Sequence, residues 1–208
     1  MKKLSSIFCL AAAAVFVACS SDDYDVDRSI WIADPNDSNL PQYSESGYNT
    51  FGAQINGDYF TSGAQINTPC YFVWNDTTKS LKMALNGYNS SYRYYRYDDN
   101  RDMVLTITIP CDTTINRVEN LYLLDSKTFN LSNAEIKVEI KRGDNPTETI
   151  PNICSGKFAF KRVQMMYIDD EFYEAIVSGT FDFHYFDGKP CNINKGRFDL
   201  GIRENLFW

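Results

Sequence analysis

Candidate catalytic side chains are few in this chain, and they centre on its single histidine. His184 lies two residues after Asp182 in "SGTFDFHYF", so a strand would turn both side chains to the same face. Nothing resembles the Gly-x-Ser-x-Gly turn that presents a serine nucleophile. Acidic clusters at 98–102, 169–171 and 187 offer the paired carboxylates of a glycosidase, although such clusters commonly serve turns. We assign no catalytic residue and expect a protein that is not an enzyme.

A segment rich in tyrosine and arginine is the best candidate for ligand binding. "YNSSYRYYRYDDNRD" (88–102) contains five tyrosines and three arginines. Flat tyrosine rings can stack on sugars or anchor a protein interface, with arginine and aspartate as hydrogen-bond partners. The competing interpretation is that these rings pack inside the domain, with arginine against tyrosine. The candidate binding residues are Tyr88, Tyr92, Arg93, Tyr94, Arg96 and Asp98.

The N-terminus has the layout of a secretory signal. Lys2 and Lys3 precede an apolar run that is shorter than the ~20 residues of a membrane-spanning helix. Ala18, Cys19 and then "SSDD" follow. The Ala-Cys junction resembles the lipobox of bacterial lipoproteins, and "SSDD" resembles the signal that sends Bacteroidetes lipoproteins to the outside of the outer membrane. The resemblance implies lipid attachment at Cys19 and a surface location; a plain secreted protein is the alternative.

Four cysteines remain in the mature chain besides Cys19. An even number in an exported protein suggests disulfides, and four cysteines allow three connectivities. Pairing of near neighbours favours Cys70–Cys111 and Cys154–Cys191, with buried free thiols as the alternative. With one histidine and no Cys-x-x-Cys pair, we expect no zinc site, no other metal and no cofactor.

The charge balance argues against nucleic acid as a partner. The chain has 20 basic and 27 acidic residues, and loss of Lys2 and Lys3 with the signal leaves 18 basic residues and a formal charge of −9. Such an acidic domain is repelled by phosphate backbones. The expected partners are therefore the membrane, through Cys19, and a glycan or another surface protein.

The elements expected to position these residues are short antiparallel strands. Apolar and polar residues alternate in several segments, as in "AEIKVEIKR" (134–142) and "SGTFDFHYF" (178–186). Asn56-Gly57, Asn86-Gly87 and Asp169-Asp170 are expected to form turns between strands. Since no segment has a convincing helical period, the sequence predicts a single all-β domain, an antiparallel β-sandwich or a barrel-like sheet, with a lipocalin-like barrel as the alternative.

The chain divides into three parts by composition. Residues 1–18 are the expected signal peptide. Residues 19–48 begin with the acylated cysteine and are polar and without a period, so they are expected to form a flexible linker. Residues 49–208, which carry the alternating patterns, form the predicted β domain.

Two motifs bracket that domain. "NTFGAQINGDYF" (49–60) opens it and "SGTFDFHYFDGKPCNINKGRFDLGI" (178–202) closes it. Together they resemble an uncharacterised family of Bacteroidetes surface lipoproteins. The resemblance implies a shared fold and location but no activity. The matching residues are Phe51, Gly52, Asn56, Gly57, Gly179, Phe181, Phe183, Gly188, Lys189, Gly196, Phe198 and Asp199.

Three functions are compatible with these observations. The leading hypothesis is a non-enzymatic surface binding or interaction module, an accessory to glycan or nutrient capture. The second is a structural envelope lipoprotein that works through protein contacts. The third is a hydrolase that uses carboxylates near His184.

Overall fold

The computed structural model describes residues 29–62, 69–90 and 102–208. Short 3₁₀ helices lie at Val118–Leu124 and Glu204–Leu206. The strands are β1 (Ala33–Asp34), β2 (Asp37–Pro41), β3 (Thr50–Ile55), β4 (Asp58–Thr61), β5 (Cys70–Asn75), β6 (Ser80–Asn89), β7 (Asp102–Pro110), β8 (Thr128–Asn130), β9 (Lys137–Arg142), β10 (Glu148–Thr149), β11 (Ile153–Ile168), β12 (Glu171–Phe186) and β13 (Pro190–Ile202).

One antiparallel sheet contains every strand except the β1–β2 hairpin. Its order is β10-β9-β7-β6-β4-β3-β13-β12-β11-β8, and β5 pairs with the first part of β6 beside β4. The sheet curls into a half-barrel, so the prediction of an antiparallel all-β domain is confirmed in its barrel-like form.

The core fills the concave side of this sheet. The residues on the predicted apolar faces of β9 and β12 are all buried, and β7 and β13 bury alternate apolar residues in the same way. Aromatic rings fill its centre, where Phe158 lies 5.5 Å from Phe198 and 6.4 Å from Phe181 between ring centroids. Because burial of one such side chain contributes about 1.5–3 kcal/mol, this aromatic cluster is a major source of stability.

Two of the predicted turns are present. Asn56-Gly57 joins β3 to β4 with φ values of 53° and 96°, and Asp169-Asp170 joins β11 to β12 with φ values of 52° and 67°. Positive φ at both central residues is what a tight type I′ hairpin turn requires, and Asn, Asp and Gly accept it at the lowest cost.

The prediction of a turn at Asn86-Gly87 is wrong. β6 continues through both residues, and Gly87 pairs with Met103 on β7. A Cβ atom on Gly87 would lie 2.5 Å from the ring of Phe51 and 2.4 Å from the carbonyl oxygen of Thr61. Glycine is therefore present because the ring and a neighbouring strand approach its backbone, not because the chain reverses there.

The prediction of a flexible linker is wrong for its second half, residues 29–48. Residues 29–49, here called the N-terminal strap, lie across the convex side of β3 and β13. Leu40 is fully buried, Pro41 packs over Gly52, and the carboxylate of Asp37 accepts a hydrogen bond from the Lys195 ammonium at 2.9 Å. Polar contacts and one apolar residue fix this segment, which is why its composition looked like that of a linker. Residues 19–28 lie outside the described residues.

Neither expected disulfide is present, because the strand register separates the cysteines. Cys70 pairs with Leu85 on β6, whereas the Cys111 amide donates to the carbonyl of Lys79. Lys79 and Leu85 are six residues apart, which is about 20 Å along the strand. Cys154 follows Ile153, which pairs with Tyr185, and Tyr185 pairs with Cys191. One strand therefore lies between Cys154 and Cys191, about 10 Å, whereas a disulfide needs Cα atoms within about 7 Å.

Candidate ligand-binding surface

The convex face of β5, β6, β7 and β9 carries a broad groove. Strand register aligns Val73, Lys82, Thr108 and Lys137 in one row across the four strands. The groove has a volume of about 780 Å³, and we call it the outer groove. Its size is within the range of small-molecule sites in proteins.

Beyond the outer groove, smaller side chains occupy the middle of the same convex face. The next row along the strands consists of Tyr71, Ala84, Thr106 and Glu139, of which Ala84 and Thr106 are buried. Larger side chains stand on both sides of them. On the β9 side, the Lys137 ammonium lies 2.6 Å from the Glu139 carboxylate, and this ion pair fixes one wall.

An aromatic pair lies on the same face, at the β5 edge beside the groove. The last two residues continue along the free edge of β5, where the Trp208 amide donates to the Phe72 carbonyl at 3.0 Å and the Trp74 amide donates to the Trp208 carbonyl at 2.6 Å. The Trp208 ring therefore contacts Tyr71 on the convex face, with 5.3 Å between centroids and 59° between planes. Trp208 is 61% exposed, which is the largest value among the exposed large apolar side chains of the described residues.

The charges that line the outer groove are balanced. Three lysines face three carboxylates, and Lys82 occupies the middle of its row with no ion pair to any residue in the described ranges. A hydrogen bond from the Lys79 ammonium lowers the pKa of the Asp76 carboxyl at the groove entrance. Such a surface suits a polar ligand with little net charge. The charged lining residues are Lys79, Lys82, Lys137, Asp112, Glu135 and Glu139.

Comparisons with known proteins find no counterpart. No family model, no curated protein and no solved structure matches this chain. Among the described residues, no helix has the length and apolarity that crossing a bilayer would require.

Of the binding residues predicted from the tyrosine-rich segment, one can be located. Tyr88 is 39% exposed on the same convex face of β6 as Lys82, about 13 Å along the strand from Ala84. It thus borders the far end of the surface that carries the outer groove. Tyr92, Arg93, Tyr94, Arg96 and Asp98 lie outside the described residues, as does Cys19.

The candidate catalytic residues do not reach this surface. His184 and Asp182 are exposed side by side on β12, and the imidazole of His184 has no hydrogen-bond partner among the described residues. The acidic turn at 169–171 lies at the tip of the β11–β12 hairpin. Within the described ranges there is also no group of three His, Cys, Asp or Glu side chains that could hold a metal ion.

Sequence reasoning missed the two aromatic residues beside the outer groove. The alternation in "CYFVWN" (70–75) could have placed Tyr71 on the convex face, because Cys70 and Phe72 are buried. Trp208 carried no such signal. Its position depends on a backbone bridge between the C-terminal residues and a strand more than 130 positions earlier, which no local pattern reveals.

Proposed function

We propose that this protein is a lipid-anchored surface protein that binds a neutral or weakly charged carbohydrate in the outer groove and catalyses no reaction. The observation that carries the proposal is the Tyr71–Trp208 pair, with its exposed tryptophan, beside a polar groove on the same face of the sheet. The anchor is the acylated Cys19, and the location is the outside of the outer membrane.

The chemistry of the groove fits a sugar better than an apolar molecule. Aromatic faces provide flat apolar area for the C–H face of a sugar ring, and an exposed tryptophan still has an indole N–H to donate. The ammonium of Lys82, the hydroxyl of Thr108 and the carboxylate of Glu139 offer both donors and acceptors to hydroxyl groups. The balance of charge gives no reason for a highly charged ligand.

The N-terminal strap supports the proposed anchoring geometry. Ser29 donates its hydroxyl to the Asn49 carbonyl at 2.7 Å, so the domain starts from a fixed point. Nine residues lie between Cys19 and Ser29, and the ten residue-to-residue steps that join them reach at most about 35 Å. A lipid on Cys19 would therefore hold the domain close to the membrane, and two or three acyl chains make such an anchor permanent.

Glycan-array binding of the full-length chain, solubilised in mild detergent, tests the ligand. Trp208→Ala and Tyr71→Ala should each reduce binding by about tenfold or more, since loss of one stacking ring costs on the order of 1–3 kcal/mol. Tyr122→Ala is the matched control, because Tyr122 is 55% exposed on a 3₁₀ helix that does not line the groove. Absence of glycan binding by the wild type, or equal loss in Tyr122→Ala, would overturn the carbohydrate assignment.

The anchor is tested separately. Cys19→Ser should move the protein out of the membrane fraction, and mass spectrometry of the wild type should find acyl chains on the first mature residue. Membrane association that survives Cys19→Ser would overturn the anchor while leaving the groove proposal intact.

A further inference from the structure

The β11–β12 hairpin has an open edge at its tip. β11 pairs with β12 along its whole length, but on its other side β8 covers only Lys157–Ala159. Beyond them, the Phe160 amide donates to the Lys127 carbonyl and the Val163 amide donates to the Asp125 carboxylate at 2.7 Å. No described residue pairs with the stretch from Gln164 to Ile168 on that side. An open strand edge of this kind is a template for another strand.

The hydrogen bond of Val163 shows which way the unpaired backbone groups of this stretch point. Its amide points away from β12, and amides alternate sides along a strand, so those of Met165 and Tyr167 point to the same open side. The open edge also exposes apolar side chains, because Tyr167 is 59% and Ile168 51% exposed. Water can satisfy the backbone groups, but it leaves this apolar surface uncovered.

We propose that a second copy of this chain covers the edge, so that two β11 strands pair antiparallel about a two-fold axis at Met166. The free stretch is centred on Met166, and this axis pairs each free residue with a free residue of the other copy. Met165 of one copy then lies opposite Tyr167 of the other, and their backbone groups exchange hydrogen bonds on both sides of the axis.

The charges at the two ends of β11 favour this antiparallel direction. Lys161 and Arg162 precede the free stretch, and Asp169, Asp170 and Glu171 follow it. Antiparallel pairing brings the basic end of each copy beside the acidic turn of the other, twice. Parallel pairing would place like charges together. Exposed charge pairs contribute little affinity, so their role here is to select the orientation.

Disulfide trapping of the full-length chain in cell envelopes tests the pairing. Met166 would face its own copy across the two-fold axis, at a position where the two strands exchange no hydrogen bonds. The two Met166 Cα atoms then lie ~4.5 Å apart, which a disulfide can span. Met166→Cys, in a Cys154→Ser background that removes the exposed native thiol, should give a covalent dimer on mild oxidation. Gln164→Cys is the matched control, since its two copies would lie ~14 Å apart.

Charge reversal provides a second readout on the same reporter. Adding Lys161→Glu to Met166→Cys should lower the cross-linked fraction several-fold, and adding Asp170→Lys as well should restore it, because the repulsion between the basic end and the acidic turn becomes attraction again. The proposal is overturned if Met166→Cys cross-links no more than Gln164→Cys, or if Asp170→Lys fails to restore the cross-linking that Lys161→Glu removes. Neither result depends on glycan binding or on acylation.

Discussion

At the scale of single residues, Asp199 is a buried charge that four hydrogen-bond donors surround. Its carboxylate is buried at 1% exposure on β13 and accepts hydrogen bonds from the Ser44 hydroxyl and from the amides of Ser46, Gly47 and Tyr48. A buried carboxylate is costly unless donors surround it, and here the backbone of the N-terminal strap supplies most of them. One side chain therefore holds the loop before β3 onto the sheet.

We expect Asp199→Asn to lower the free energy of unfolding by about 2–4 kcal/mol, because an amide donor would face backbone amides that need an acceptor. Urea denaturation measures the change. Asp182→Asn is the control: Asp182 is an exposed carboxylate on the neighbouring strand, and its loss should cost less than about 0.5 kcal/mol. Equal effects of the two substitutions would contradict the role given to Asp199.

At the scale of elements, the strap should be sensitive to acid. The pKa of Asp34 is lowered by hydrogen bonds from the Asn36 amide and then from the Arg197 guanidinium. The pKa of Asp37 is lowered by hydrogen bonds from the Lys195 ammonium and then from the Tyr59 hydroxyl. A carboxyl whose pKa is lowered by folding stabilises the native state above its unfolded pKa of about 3.8, and this stabilisation disappears as the pH falls through the lowered pKa.

Asp37→Asn should therefore reduce the loss of stability that the wild type shows below about pH 4. The measurement is the urea midpoint at pH 7, 4 and 2.5 for both proteins. Asp112→Asn replaces an exposed carboxyl that has no hydrogen bond in the described structure, and it should leave the loss of stability at low pH unchanged. An identical loss of stability at low pH in the wild type and in Asp37→Asn would refute the contribution of the Asp37–Lys195 ion pair.

The two Asn-Gly dipeptides offer a second test of an element, since one forms a turn and the other lies inside β6. Gly87→Ala should cost about 2–4 kcal/mol of unfolding free energy, because its methyl group would lie 2.4 Å from a backbone oxygen. Gly57→Ala meets no atom within 4 Å and should cost only about 1 kcal/mol for its positive φ. Thermal and urea unfolding of the pair measure the difference, and the reverse order would disprove the assignment.

These dipeptides also show how far local sequence can predict the fold. Alternation located the core faces of β9 and β12, and Asp169-Asp170 marked its hairpin, because both signals arise within a few residues. Gly87 has the same neighbours as a turn glycine, yet its conformation is decided by Phe51, which lies 36 positions earlier in the chain. The strap was missed for the same reason, since Asp199 lies about 150 positions beyond the amides that it binds.

The binding surface was predicted less well than the fold. Tyr88 was named as a candidate because tyrosines and arginines cluster around it, and composition alone can show that; its role in binding stays a prediction. The Tyr71–Trp208 pair requires two segments to meet, and the sequence contains no charge or spacing that links them. Surfaces assembled from distant strands follow from sheet order, which alternation does not encode.

At the scale of the whole molecule, stability must come from the half-barrel itself and not from covalent links. Cys70 is buried on β5 and Cys191 on β13, each within the apolar core, and both thiols are unbonded. Burial raises the pKa of the Cys70 thiol well above its usual range, which keeps it protonated and unreactive. The aromatic cluster and the long β11–β12–β13 pairing then account for the cooperativity of the domain.

Reductant should consequently leave the unfolding temperature unchanged. A disulfide that closed the loop of about 40 residues between Cys70 and Cys111 would add about 4 kcal/mol, and its reduction would lower the midpoint by roughly 8–16 °C. Thermal unfolding with and without dithiothreitol distinguishes the two cases. Alkylation of the native protein should label the exposed Cys154 first, and it should spare the buried Cys70 and Cys191 until urea is added. Cys111 should react slowly, because burial raises the pKa of its thiol to about 11. A midpoint that falls on reduction, or thiols that resist alkylation in urea, would show that the mature chain forms bonds that this strand register does not allow.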